Sequence, residues 1–190
     1  MDKIRLDFFD ILGYLIPGTA LLLSLWVTAD SSIHGLSDLY DFVSKIDTKT
    51  IFSGVIVAYI MGFTLHFFGS WIFKKLRVPP RKILSEDMPE YWALLREHGE
   101  KHLVILDRWQ ALKALSSNLG AFSLIAICLC LAKWQLTCHW EWLALTPVFL
   151  ILFLIYCDRA IVFHIYYDED SFAVFEALKL KEKLPPHLQK

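Results

Sequence analysis

Four stretches of this chain carry no Asp, Glu, Lys or Arg, and each is close to the length that crosses a lipid bilayer. The first is Ile11–Ala29, nineteen residues; 51–73 supplies twenty-three, 114–132 nineteen and 142–157 sixteen. A helix rises about 1.5 Å per residue and the hydrocarbon slab is about 30 Å thick, so roughly twenty apolar residues span it. The fourth stretch is short, but apolar character resumes after Arg159 over 160–167, which lets its helix slide or tilt to fit. Lipid offers backbone groups no hydrogen bonds, so each stretch must be helical. The expected fold is therefore all-α, a four-helix transmembrane bundle with a small helical layer on the cytosolic side.

Composition agrees: 56% of residues are hydrophobic and 21% charged, with a mean hydropathy of +0.45. A net charge of −1 gives no global attraction to nucleic acid. Trp26, Trp71, Trp134, Trp140 and Trp142 lie near expected span ends, where an indole faces lipid while its N–H reaches water. Asp2, Asp7, Asp10 and the helix-bending Pro17 argue that the first stretch is a retained span rather than a cleaved leader.

The basic residues divide sixteen to three if the N-terminus is cytosolic, with only Lys45, Lys49 and Lys133 outside. Basic residues are retained on the cytoplasmic side, so both termini are expected there, in a multi-pass protein of the bacterial inner membrane. Four segments follow: 1–73 with the first two spans and their outer loop, 74–113 as a cytosolic helical segment, 114–157 with the last two spans, and 158–190 as a cytosolic helix and tail. Lys74, Lys75, Arg77 and Arg159 are placed to meet lipid headgroups.

Within the spans, Gly54, Ala58, Gly62, His66 and Ser70 recur every four residues. Association in lipid depends on close packing, so Gly54, Ala58 and Gly62 are read as an oligomer interface. Spans one to three are expected to form the packed centre and the bulkier fourth, with Pro147 bending it, to face lipid. In the loop, 36–43 forms an amphipathic turn. Val78-Pro79-Pro80 ends the second helix, and a short helix over 89–98 follows, capped by Asp87 and closed by Gly99. From Glu100 the apolar pattern predicts a helix running into the third span. The fourth span is expected to continue as a helix through Leu178, stopped by Pro185-Pro186.

Chemistry-bearing residues are sparse. His66, the only histidine in a span, is expected to make an interhelical hydrogen bond, with Asn118 as its partner at similar depth. Arg159 and His164 have the R-x4-H spacing of HEPN-type ribonucleases, and Arg96 and His102 the looser R-x5-H. Among six Arg and seven His such pairs arise by chance, and the polar residue usual after the arginine is replaced by Ala160. There is no phosphate loop, H-E-x-x-H or nucleophile elbow, so no catalytic residue is assigned. Cys138 lacks an outer partner and Cys138-His139 lacks a second pair, so neither a disulfide nor a metal site is expected, and no cofactor. Asp168, Glu169 and Asp170 lie beside Tyr166, Tyr167 and Phe172, a mixture read as a docking surface for a soluble partner with a basic face.

In size, four spans, inside termini and the acidic-aromatic opening DFFDILGYLIPG, the chain resembles the membrane subunits of the Kiwa anti-phage defence system, the KwaA family. Similar small four-span proteins accompany type VI CRISPR loci. The Kiwa resemblance implies a non-catalytic homo-oligomer, a tetramer, holding a soluble effector and responding to phage attack at the envelope. The expected function is thus an inner-membrane sensor and scaffold, in contact with lipids, itself and an effector. An oligomeric ion channel and a membrane-tethered HEPN-like ribonuclease are the alternatives.

Overall fold

The computed structural model describes residues 11–75 and 100–179, together with Leu94 and Glu97. Their secondary structure is all α-type, helices joined by turns, and four of the helices are long and apolar enough to cross a membrane, as fits a multi-pass membrane protein. Helix α1 is Ile11–Ala29. A short amphipathic helix, α2, covers Leu36–Ser44, α3 covers Thr48–Lys75, α4 Glu100–Thr137 and α5 Trp140–Ala177. The 1–10 start, the 76–93 segment with Pro79, Pro80 and Asp87, and the tail beyond Lys179 with Pro185-Pro186 lie outside the described residues. So do most of the 89–98 helix and its Gly99, though Leu94 and Glu97 are helical.

The first turns of α1, Ile11–Leu15, are π-helical. Pro17 gives the reason. It has no N–H to offer the carbonyl four residues earlier, so the backbone around Gly13 cannot keep the α-helical ladder.

Helices α4 and α5 are 38 residues each, about 57 Å at 1.5 Å per residue. They are joined by a turn in which Cys138 takes φ 58°. A slab about 30 Å thick covers only part of that length, so the hairpin extends beyond the bilayer as a two-helix stalk. Pro147 lies inside α5 without ending it. Its helix stops at Ala177, short of Pro185, because Lys179 turns left-handed at φ 51° while its N–H bonds Glu176 O.

The packed centre differs from the expected one. Helix α4 is its core, half buried along its apolar stretch, while α5 packs mainly on α4 and meets the other elements at its start and at His164. Most of the apolar stretch of α5 is left exposed, at the edge of the bundle. Helix α3, expected in the centre, instead turns Phe52, Ile56, Ile60, Phe67 and Trp71 outward and buries only a narrow face. That face is Ala58, Gly62, Leu65 and Gly69. A strict four-residue repeat drifts about 40° per step around a helix, so the buried face leaves the Gly54–Ser70 row and passes through Leu65 and Gly69.

Candidate functional site

The seam between α1 and α3 sets the depth at which everything else sits. A Cβ on Gly18 would meet Ala58 O at 1.7 Å, one on Gly62 would meet Tyr14 O at 1.8 Å, and one on Gly54 would reach Leu22 Cδ2 at 3.8 Å. The three pairs share one antiparallel register, with backbone against backbone at the first two. For Ala58 and Gly62 this corrects the reading as an oligomer interface, while Gly54 is half-buried and meets only the Leu22 side chain. Ala58 is 2% exposed and Gly62 is buried, both occupied by the chain's own first helix.

Beneath the seam lies a polar node. Asn118, fully buried on α4, donates through Nδ2 to the Gly13 carbonyl at 2.5 Å. This is the carbonyl that Pro17 leaves without an α-helical donor, and in lipid no water can serve it. His66 stands edge-on to Tyr14 with centroids 5.5 Å apart, and its Nε2 is 3.5 Å from Ser70 Oγ. Asn118 comes up to the His66 ring, although its Oδ1 and the ring's Nδ1 each lack a partner of good geometry among the described residues. Gly69 makes room for the amide: a Cβ there would sit 2.7 Å from Asn118 Oδ1. His66 and Asn118 are thus brought together from α3 and α4, with α1 as a third party.

About a turn and a half along α4, Lys113 Nζ lies 3.3 Å from His164 Nδ1 and over the rings of Phe73 at 5.2 Å and Tyr167 at 5.9 Å. A lysine ammonium has no acceptor, so His164 Nδ1 accepts and the ring's remaining proton is on Nε2. Farther out, Trp109 Nε1 donates to Asp170 Oδ2 at 2.6 Å, while Leu106 and Tyr167 form a small core with Leu103 and Phe172. The expected docking surface is corrected here. Tyr167 is 3% and Asp168 7% exposed, Asp170 is held by Trp109, and Phe172 packs on the stalk core. Residues four apart share a helix face, and on α5 that face meets α4. Only Tyr166 and Glu169 of the six turn outward.

Arg159 is exposed, with the carboxylate of the adjacent Asp158 at 3.9 Å. His164 is 3% exposed and faces Lys113. Five residues turn a helix by about 140°, so the two side chains point into different surroundings and share no cleft. His102 is exposed, and Arg96 is outside the described residues. Lys74 and Lys75 are exposed at the end of α3, as headgroup contacts require; Arg77 is not among the described residues. The four cysteines are free, and among the described residues no group of three metal-ligating side chains forms.

The opposite, loop-bearing face was the least legible. Lys133, expected only as a charge flanking a span, is 2% exposed and donates to Asp30 O at 2.6 Å and Thr28 O at 3.5 Å, capping the carbonyl end of α1. Glu141 Oε2 accepts from Leu36 N at 2.7 Å and Trp142 Nε1 donates to His34 O at 2.7 Å, tying α5 to the start of α2. Asp38 closes that start by accepting from His34 N and Gly35 N, and these bonds hold its carboxyl below the usual range. No sequence periodicity announces Lys133. A lone charge at a span end has many ordinary uses.

No protein-family model matches this chain, and neither the curated proteins nor the solved structures contain a match to it.

Proposed function

We propose that this chain is a membrane-embedded, non-catalytic scaffold that couples its loop-bearing face to a soluble partner at the stalk. The observation that carries this reading is the α4–α5 hairpin. It is one continuous pair of helices, tied to α1 and α2 through Lys133, Glu141 and Trp142 at one end and internally braced by Lys113–His164 and Trp109–Asp170 at the other. A movement imposed at the loop is passed along such a rod with little loss. The excess of basic residues near the stalk supports a cytosolic stalk in a bacterial inner-membrane protein. The resemblance to Kiwa membrane subunits agrees with an envelope sensor in anti-phage defence that holds an effector.

With the acidic face used internally, the docking surface moves to the outward side of the stalk, where Val104 is 74%, Ile105 48% and Tyr166 45% exposed. A photo-crosslinking residue at Val104 or Tyr166, irradiated in native membranes, should capture a soluble protein that is not captured from the lipid-facing control position Ile56. Equal patterns at all three positions, or adducts to membrane proteins alone, would remove the scaffold reading.

A further inference from the structure

A cavity of about 250 Å³ lies under α2, walled by Val27, Phe42, Trp142, Leu145 and Phe149, with Lys133 in its lining. Helix α2 is amphipathic yet has no buried residue: Leu39 and Phe42 pack only partly on Val27, Ile33 and Trp142, and with Val43 they roof this space. The lining is otherwise almost wholly apolar. The one charge in it is a side chain 98% removed from solvent whose bonds go to backbone carbonyls, Asp30 O and Thr28 O. An ammonium has three protons, and the third has no acceptor among the described residues. The Asp30 carboxylate is turned away to Ser32 N at 2.9 Å and Ser32 Oγ at 2.7 Å, so it forms no ion pair with Lys133. Asp30 therefore acts on Lys133 only from beyond contact, and an anion arriving with its own apolar body would supply the direct partner that the buried ammonium lacks.

We propose that this cavity binds a single-chain amphiphile with a carboxylate head, the head on Lys133 and the chain between Phe42, Trp142, Leu145 and Phe149. The space is below the roughly 300–1,000 Å³ of ordinary small-molecule pockets, so it takes one slender chain and not the paired tails of a phospholipid. The ammonium has one N–H left for a single carboxylate oxygen, and a doubly charged phosphate would meet stronger repulsion from the Asp30 carboxylate.

Full-length protein in amphipol is incubated with radiolabelled oleate, methyl oleate or phosphatidylglycerol, and retained label is counted after gel filtration. About one oleate per chain is expected, with methyl oleate bound at least tenfold more weakly and phosphatidylglycerol unable to compete. K133M should weaken oleate at least tenfold. L145W, which fills the cavity and leaves the ammonium in place, should do the same, with folding of both variants followed by thermal unfolding. If K133M does not fold, L145W decides. Wild-type affinity in either folded variant, equal binding of methyl oleate, or displacement by phosphatidylglycerol at equal concentration would overturn the proposal.

Discussion

Replacing Gly62 by alanine adds one methyl group to a helix facing lipid on most sides, yet the geometry makes it a severe change. The new Cβ would start 1.8 Å from the Tyr14 carbonyl oxygen, and ordinary contact begins at 3.4 Å, so α1 and α3 must part by about 1.6 Å. The obstacle is backbone, and no rotamer change relieves it. Overpacking of this kind costs about 1–3 kcal/mol, and sometimes more. Tyr14 adjoins Gly13, so parting the seam also draws that carbonyl from Asn118 Nδ2. A span-to-span hydrogen bond in lipid contributes about 0.6–1.7 kcal/mol. Together these predict a loss of roughly 2–4 kcal/mol. Gly54→Ala supplies the matched control, because its Cβ meets Leu22 at 3.8 Å and gains about 0.5–1 kcal/mol in helix propensity. Thermal unfolding in one detergent, read by the loss of the monodisperse gel-filtration peak, should put Gly62→Ala and Gly18→Ala well below wild type. Gly54→Ala should lie at or above it. Equal midpoints for Gly62→Ala and Gly54→Ala would refute the seam. So would a Gly62→Ala protein that keeps its stability and only loses oligomeric mass, which would return the glycine to an interface between copies.

The other predictions are shorter. Asn118→Ala should lower stability by about 1–2 kcal/mol by leaving the Gly13 carbonyl unserved, and Asn118→Leu should not recover it in chemical denaturation. Trp109→Phe removes the donor to Asp170 while keeping the ring, and should cost about 1–2 kcal/mol of stalk stability, seen as faster proteolysis of the region after Arg159. For the two loop-side helix starts the sign follows from depressed carboxylates: Asp38 at the start of α2, bonded to Gly35 N and His34 N, and Asp47 at the start of α3, bonded to the Thr50 hydroxyl and N–H, are stabilising while ionised. Their contribution is fully present above about pH 4 and lost as pH falls through their lowered values. Amide protection at Gly35 should therefore drop on acidification below pH 4, and Asp38→Ala should show the low protection at every pH.

Span number, the unbroken entry of α4 into the membrane and the peripheral place of α5 were all legible, because length and charge decide them. Which way each span faces was not. In a soluble helix the apolar stripe points to the core, but here core and lipid are both apolar, and hydrophobicity is spread nearly evenly around α4 and α5. Only small and polar residues carry direction, and they carry it ambiguously. The glycines of α3 declare a close approach without declaring the partner, which proved to be α1 rather than another copy. The acidic run at 168–170 had the same ambiguity. Charges on a helix beyond the membrane suggest a solvated face, yet Trp109 and the stalk core claim that side first.

One irregularity links the parts that were legible only in fragments. Pro17 near the start of the first span reads by itself as a bend, Gly62 as a packing residue and Asn118 as a polar residue out of place. In the fold each answers another. The proline frees the Gly13 carbonyl, and the glycine at 62 lets the π-helical turn of α1 lie against α3 at backbone distance. Gly69 leaves the space in which Asn118 reaches that carbonyl from α4. A helix broken within lipid persists only where its neighbours satisfy the freed groups. The irregular start of α1 thus has its freed carbonyl satisfied only through the contacts of α3 and α4, which makes this three-helix junction, rather than any single span, the place where the three sequence signals acquire one meaning.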